Sequence, residues 1–324
     1  MEIAVPYVQI EAINPNINDD NVTNPSTIYF KCILVCFTTI RRIEPNIKLV
    51  LYTNSSPPID FVKNLDKLAV EIRLIEYNFC PPHEFGERFR GCFFIFDAIM
   101  KSKTSTLFLD PDVIAVGSIL EIEQICGNHI GVFELDFPKN QIINGITFGN
   151  AHNIFTKFEK ETDLPKNKYP ACHLGGEILY IPESKLIEIS KNIRDFWTWN
   201  IASAKQGLEF LPTEEHILTH VLKHSESVLL NSYISRIWTT KKFTKHEGNS
   251  QSVKNLKLWH LPAEKTKGFM KMYDYFSVSD FQINIEEKAF ISKAKKQMNI
   301  DKPVNLISAF LYGLTLKILN ITKM

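Results

Sequence analysis

The sequence predicts an α/β protein with a mainly parallel central sheet flanked by helices, and three observations carry that expectation. Its opening third alternates strand-like and helix-like segments, the pattern of parallel strands joined by right-handed crossovers. A short apolar run at 106–109 then ends abruptly in Asp110-Pro111-Asp112, and a second apolar run, 113–116, follows at once. Finally, the 324 residues are 44% hydrophobic with 23 Phe, ample for a large core in one α/β domain or two smaller ones.

Taken in order, residues 7–13 alternate apolar and polar like a strand, and an Asn/Asp-rich loop follows. The apolar stretch 27–39 reads as a helix and 47–53 as a buried strand, closed by Asn54-Ser55-Ser56-Pro57-Pro58. Residues 59–67 look helical, 70–76 alternate as a strand, and 84–101 form a helix carrying Arg88, Arg90 and Asp97. Beyond the aspartates, 131–134 and 142–148 read as short strands. Residues 174–181 form a strand introduced by Gly175-Gly176 and closed by Pro182. A long helix spans 184–206, a further helix spans 214–223 with Thr213 as its N-cap, and 256–260 is a last short strand ending on His260. There is no internal repeat, low-complexity tract or interdomain linker.

The C-terminal segment stands apart. Residues 287–299 form a basic helix with Lys288, Lys293, Lys295 and Lys296. Residues 304–321 are mostly apolar, but Asn305, Ser308, Tyr312, Thr315 and Asn320 fall along one side, which makes the segment too short and too polar for a spanning helix. It reads either as an amphipathic helix at a membrane surface, beside lysines that favour anionic lipid, or as a helix docked on the domain or a partner subunit.

Charge and cysteine usage narrow the function classes. Lys and Arg number 37 against 36 Asp and Glu, which argues against a general nucleic-acid binder. The six cysteines include no metal-type C-x-x-C pair, and Cys32 and Cys36 lie within an apolar helical stretch as small buried hydrophobes. The N-terminus lacks the basic and long apolar regions of a secretory signal. A reducing cytoplasm is the expected compartment, in which Asn21-Val22-Thr23 and Asn320-Ile321-Thr322 are chance glycosylation matches.

Asp110 and Asp112 carry the most chemistry. Residues i and i+2 of a strand point the same way, so the two acids aim at one point, with Pro111 restraining the turn between them. Like charges so placed repel unless a cation lies between them. Mg²⁺ and Mn²⁺ take such oxygen ligands and often complete their shell with substrate phosphates, which makes the pair a candidate metal–diphosphate clamp. Asp-Pro-Asp is also an ordinary turn sequence. Its position after a central strand favours the clamp, because ligands of open α/β sheets bind at the carboxyl ends of the strands.

The order of motifs adds to this. A nucleotide-type α/β half leads to Leu109-Asp110-Pro111-Asp112-Val113, then to the glycine-started strand, the acidic pair Glu214-Glu215 opening a helix, and a strand ending on His260. This order resembles the GT-A fold glycosyltransferases, particularly glycosyltransferase family 8 and related bacterial lipopolysaccharide and capsule transferases. The likeness covers roughly residues 5–270 and leaves the tail outside. It implies a Rossmann-like, mixed but mainly parallel sheet in a nucleotide-sugar transferase domain over 1–270, with a helical extension over 271–324 that docks on membrane or partner.

By the same resemblance, Asp110 and Asp112 hold Mn²⁺ or Mg²⁺ against the diphosphate of a nucleotide sugar, and His260 completes the metal shell. Lys265 or Lys267 contacts phosphate, although the family's Gly and Lys-Pro-Trp after the histidine are replaced here by Leu261-Pro262-Ala263-Glu264-Lys265-Thr266-Lys267. The family's donor-contacting arginine falls on Phe93, so Arg90, one turn earlier, is the nearest substitute, with Arg88 a lesser one. The strand Cys172–Ile181 stands where the family has Phe-Asn-Ala-Gly-Val-Leu, with Leu174 replacing the Asn, and Gly175 and Gly176 border the donor or permit a tight bend. Glu214 and Glu215 supply the general base of an inverting transfer or bind sugar hydroxyls in a retaining one. Bland alternatives stand beside these roles: a core histidine at 260, solvated helix arginines, and acids favoured by a helix N-terminus.

The function implied is metal-dependent transfer of a sugar, of hexosyltransferase type, from a nucleotide diphosphate donor to a hydroxyl on a glycan or glycolipid. The setting would be polysaccharide synthesis by a cytoplasmic enzyme at the inner face of the membrane. A nucleotidyltransferase is disfavoured, because the stretch after the first strand, Glu11-Ala12-Ile13-Asn14-Pro15-Asn16, lacks a glycine-rich loop. A non-catalytic nucleotide-sugar-binding relative is the alternative from another class.

Overall fold

The computed structural model describes residues 1–10, 25–87, 89–162, 172–222, 225–239, 244–248, 255–281 and 285–300. The first half follows the expected alternation: β1 (Glu2–Tyr7), α1 (Pro25–Ile43), β2 (Lys48–Thr53), α2 (Ile59–Lys67), β3 (Val70–Leu74), α3 (Phe94–Lys101) and β4 (Thr106–Leu109). β1 pairs in parallel with both β2 and β4, and β2 with β3.

After β5 (Val113–Ala115) come α4 (Glu121–Cys126), β6 (Ile130–Leu135), the small strands β7 (Ile142–Ile143) and β8 (Ile146–Thr147), α5 (Phe148–Glu161), β9 (His173–Ile181), α6 (Leu186–Lys205) and α7 (Glu214–Leu222). The chain continues through β10 (Ser227–Leu229), β11 (Ile234–Thr239), β12 (Thr244–Glu247), β13 (Leu258–His260), α8 (Gly268–Val278) and α9 (Glu287–Gln297). The large sheet has the order β10-β6-β9-β4-β1-β2-β3, and only β9 runs antiparallel to its neighbours. The expected mixed, mainly parallel sheet is present.

Helices cover both faces of this sheet. Alternate strand residues Ile3, Val5, Leu49 and Leu51 join α1, α2, α8 and α9 in one apolar cluster. Ala4, Val50, Tyr52 and Phe108 join α3, α5, α6 and α7 in another. The period of two along each strand divides the core in this way. The residues set apart by sequence from 271 onward begin inside α8, and Phe276, Phe290 and Met298 enter the first cluster. The run 304–321, including Asn320, lies outside the described residues, as do Asn21 and Arg88. No described helix is long and apolar enough to cross a membrane.

Several element boundaries differ from expectation for identifiable reasons. β1 occupies 2–7 rather than 7–13, because a central parallel strand is buried on both faces: Ile3, Ala4 and Val5 have no exposure. The alternation at 7–13 is misleading, and 11–13 lie outside the described residues. The helix expected over 84–101 is interrupted. A 3-10 turn at His83–Phe85, a left-handed Phe89 (φ 67°) and a second 3-10 turn at Arg90–Phe93 precede α3. Gly86 and Gly91 weaken any continuous helix there.

The strand expected at 142–148 is a tight hairpin. Asn144 and Gly145 both take positive φ (46° and 98°), the geometry of an Asn-Gly two-residue turn. Thr147 then caps α5 by accepting the Asn150 amide at 3.1 Å. Thr213, expected to cap α7, places its hydroxyl 2.7 Å from His216 Nδ1.

A second, four-stranded sheet, β12-β11-β13-β5, positions the site. The chain leaves the large sheet at β4, turns through Asp110-Pro111-Asp112, and enters the small sheet as β5. There Val113 is the register partner of His260, and His260 is the register partner of Arg236 on β11. Two strands remote in sequence thus deliver an imidazole and a guanidinium beside the aspartate turn.

Candidate active site

The Asp110-Pro111-Asp112 turn sits at the carboxyl end of β4, on the floor of a cleft also lined by Tyr7, Gly176, Glu214, Glu215, Arg236 and Lys265. Backbone bonds fix the turn on both sides: Asp110 N donates to the Glu177 carbonyl at 3.1 Å, and Leu261 N donates to the Asp112 carbonyl at 3.0 Å. Asp110 faces the cleft with its side chain 43% exposed, while that of Asp112 is 2% exposed.

His260 Nε2 lies 3.2 Å from Asp112 Oδ2 and 3.5 Å from Asp110 Oδ2. Its Nδ1 lies 3.1 Å from Glu177 Oε1. Lys265 Nζ reaches Asp112 Oδ2 at 2.5 Å. Of the two lysines suggested by sequence as phosphate contacts, Lys265 is the one whose ammonium lies beside the aspartates.

Electrostatics separate the two aspartates. Burial acts to raise Asp112, but Lys265 and His260 outweigh it and hold the carboxyl well below the usual range. Desolvation on its protein side, with the charges of Asp112 and Glu177 adding and that of His260 opposing, raises Asp110 to about 7. Burial works against a charged His260, yet Asp112 and Glu177 push it up to about 9.

Asp110, Asp112 and His260 can each offer a ligand atom, all within 4.8 Å of one another. The donor set fits a divalent cation on chemical grounds. When His260 Nδ1 carries its proton to Glu177, Nε2 presents a lone pair to two carboxylates, an arrangement that needs a proton or a cation at its centre. A carboxylate behind a ligating imidazole is the usual outer partner of a metal-binding histidine. Two oxygens and one nitrogen suit Mn²⁺ well, while Mg²⁺ prefers oxygen alone.

The acidic pair at the start of α7 forms the other end of the cleft. Glu215 is enclosed by donors: Arg236 Nη2 at 2.7 Å and Gly176 N at 3.0 Å on Oε1, with His173 Nε2 at 3.2 Å and Asn144 Nδ2 at 3.4 Å on Oε2. Burial would raise it, but Arg236 and His173 keep its carboxyl well below the ordinary range. Among the described residues no cation pairs with Glu214, which is pushed up to about 8 by burial and by the charge of Glu215, with the Cys92 thiol opposing as a hydrogen-bond partner. Glu214 is the acid available to a ligand, and Glu215 is committed to the protein.

Other sequence candidates fall elsewhere. Arg90 does not line the cleft: its guanidinium is taken by Glu87 at 3.1 Å, the Pro81 carbonyl at 3.2 Å and Cys80 Sγ at 3.7 Å. The broken helix turns it aside. Gly176 borders the cleft, and a Cβ there would meet Glu214 Oε1 at 3.2 Å. Gly175 instead faces inward, where a Cβ would lie 2.1 Å from Glu177 Oε2 and 2.8 Å from Phe133 Cδ1. All six cysteines are unpaired.

Glu177 and Arg236 are site residues that the sequence pattern does not single out. Glu177 has no exposure in the middle of an apolar strand, and Arg236 lies between Ile234 and Ile237 on β11. The available signal is an isolated charge inside an otherwise apolar strand, since such charges stay buried only when paired.

No protein-family model matches the sequence, and no curated protein matches it. Among solved structures, the chain is similar to the galactosyltransferase LgtC in complex with donor and acceptor sugar analogues (12% identity, TM-score 0.48, covering 90% of this chain and 100% of that one). It is also similar to the bifunctional glycosyltransferase WbbM (10% identity, TM-score 0.48, covering 90% and 51%). A third is mouse xyloside xylosyltransferase 1 (11% identity, TM-score 0.44, covering 80% and 96%).

Proposed function

We propose that this protein is a metal-dependent glycosyltransferase that moves a sugar from a nucleotide diphosphate donor to a hydroxyl on a glycan or glycolipid. The observation that carries this reading is the meeting of Asp110, Asp112 and His260 at the carboxyl end of β4, beside the Lys265 ammonium and across the cleft from Glu214. Such a site suits a ligand that brings both phosphate and a reacting hydroxyl.

Asp110, Asp112 and His260 would hold Mn²⁺ or Mg²⁺. When bound, the cation supplies Lewis acidity and charge neutralisation to the diphosphate. Lys265 adds a fixed positive charge at the same end, where negative charge grows as the nucleotide departs. Glu214 binds sugar hydroxyls or takes the proton of the acceptor hydroxyl; its raised pKa keeps it close to the range in which it can both hold and release a proton. Glu215 orients this end through its bonds to Gly176 and Arg236.

A panel of nucleotide sugars scored by thermal shift, with and without Mn²⁺, tests this reading, since a ligand that binds only the native state raises Tm. At least one donor should stabilise the protein in the presence of Mn²⁺ and be slowly hydrolysed, and Asp112→Asn should lose both effects while keeping its circular dichroism. Mn²⁺-independent behaviour of the wild type, or an Asp112→Asn variant that performs like it, would overturn the assignment.

A further inference from the structure

Glu177 is an unusual residue to find on a core strand. It has no exposure, and its strand is otherwise apolar from Ile178 to Ile181. The backbone is arranged around it. Val132 of β6 pairs with Leu179, but Phe133 pairs with Gly175, so residues 176–178 bulge out of this ladder. Bulges of this kind re-aim side chains beside functional sites. Gly175 leaves the space into which the Glu177 carboxylate folds, because any Cβ there would overlap Oε2.

The redirected carboxylate has a definite set of partners. Its Oε1 accepts from His260 Nδ1 at 3.1 Å and from Arg236 Nε, while Oε2 has no hydrogen-bond partner among the described residues. Arg236 extends its other arm to Glu215 Oε1 at 2.7 Å. A continuous chain of charged contacts, His260–Glu177–Arg236–Glu215, therefore runs beneath the cleft from the cation donors to the acidic pair. A buried ion pair gives little stability over well-packed apolar side chains. What this one supplies is orientation at both ends.

We propose that Glu177 and Arg236 are positioning residues that couple the two ends of the cleft. Glu177 presents His260 Nε2 toward a divalent cation, and Arg236, gripping Glu177 and Glu215 with one guanidinium, transmits displacement of either carboxylate to the other. The inference rests on the metal-dependent reading above. Coupling of this kind is reciprocal, so a change at Glu215 alters cation affinity although Glu215 is no ligand. Arginine suits the task because its planar fork spans two carboxylates, which a lysine ammonium cannot do with the same geometry.

The test titrates Mn²⁺ alone into the full chain, without nucleotide sugar, and follows free Mn²⁺ by electron paramagnetic resonance. Glu177→Gln, which keeps size and some hydrogen bonding, should weaken Mn²⁺ binding by about 10- to 100-fold, the usual effect of losing an outer partner of a metal-bound histidine. Glu215→Gln should weaken it by a smaller factor, and that factor should disappear in an Arg236→Lys background, because the two act in series. Where Arg236→Lys fails to fold, Glu215→Gln in the Glu177→Gln background replaces it in the cycle, with the same expected loss of effect.

A folded Glu177→Gln protein with wild-type Mn²⁺ affinity overturns the proposal, as does a Glu215→Gln effect that persists undiminished in the second background. Both of those results leave the metal assignment intact if Asp112→Asn still abolishes Mn²⁺ binding. Failure of the wild type to bind Mn²⁺ overturns the metal assignment and the coupling together.

Discussion

Glu214 and Glu215 are chain neighbours in the first turn of α7, yet their carboxyls occupy opposite electrostatic settings. Four donors enclose Glu215, while Glu214 gains a raised pKa from burial and from the very charge that its neighbour retains. Environments that push two acids apart in this way divide their chemistry.

This division predicts different losses. Glu215→Gln removes the negative charge that faces Arg236 and His173 and turns one of its two acceptor oxygens into a donor, and it should destabilise the fold by about 3 kcal/mol, as breaking a buried pair from one side does. Glu214→Gln should leave stability at pH 6 within about 0.5 kcal/mol, the range of substitutions that break no buried network. Its sugar transfer should nonetheless fall by about 100-fold or more if it serves as general base. Urea denaturation and a transfer assay on the same preparations compare the two, and equal stability losses would reject the distinction.

A pH dependence follows from Glu214. Its pKa rises from an ordinary 4.5 to about 8 on folding, so the folded chain retains a proton that the unfolded chain releases. A raised folded pKa gives a contribution that is fully present below pH 4.5 and lost as pH climbs through about 8. Tm measured from pH 5 to 9 should therefore decline more steeply in the wild type than in Glu214→Gln. Parallel curves would show that Glu214 does not titrate in this window.

The adjacent glycines should differ in tolerance. Gly175→Ala drives a methyl into Glu177 Oε2 and the Phe133 ring and should cost about 2 kcal/mol, a typical overpacking penalty. It should also weaken Mn²⁺ binding by disturbing Glu177. Gly176→Ala meets its nearest atom at 3.2 Å, on the Glu214 side chain, and should cost less than about 1 kcal/mol while altering donor affinity. Thermal melts with and without Mn²⁺ distinguish the two; reversal of the order would mean that the carboxylates, rather than the backbone, give way.

The Asn144-Gly145 turn offers a local test of Glu215. Gly145 holds φ at 98°, where an alanine is strained by about 1–3 kcal/mol. Gly145→Ala should therefore lower Tm, and with it the contact of Asn144 Nδ2 on Glu215. Asn144→Ala should raise the Glu215 pKa without comparable unfolding, which carboxyl-labelled NMR titration would register.

Much of this architecture was legible from residues alone. The apolar runs at 47–53 and 106–109, the helix at 59–67 and the Asp110–Asp112 spacing express local rules: strand period, helix period and the direction of i, i+2 side chains. His260 was legible as a strand terminus. Elements whose form depends on distant contacts were not. The doubly buried β1 carries no alternation, Phe89 breaks a helix through a conformation its type rarely adopts, and α8 is recognisable mainly by what it packs against.

The sequence by itself determined an alternating α/β chain and a pair of aspartates aimed together at a strand end, because both follow from short-range periodicity. Only the tertiary structure decided what surrounds them. Pairing of β13 with β5 and β11 brings His260 and Arg236 to the turn from more than a hundred residues downstream, and the β9 bulge turns Glu177 beneath them. It also turned Arg90 away and gave Glu214 and Glu215 opposite electrostatic settings. Charge states at such a site depend on burial and on through-space neighbours, and neither is written in the local order of residues.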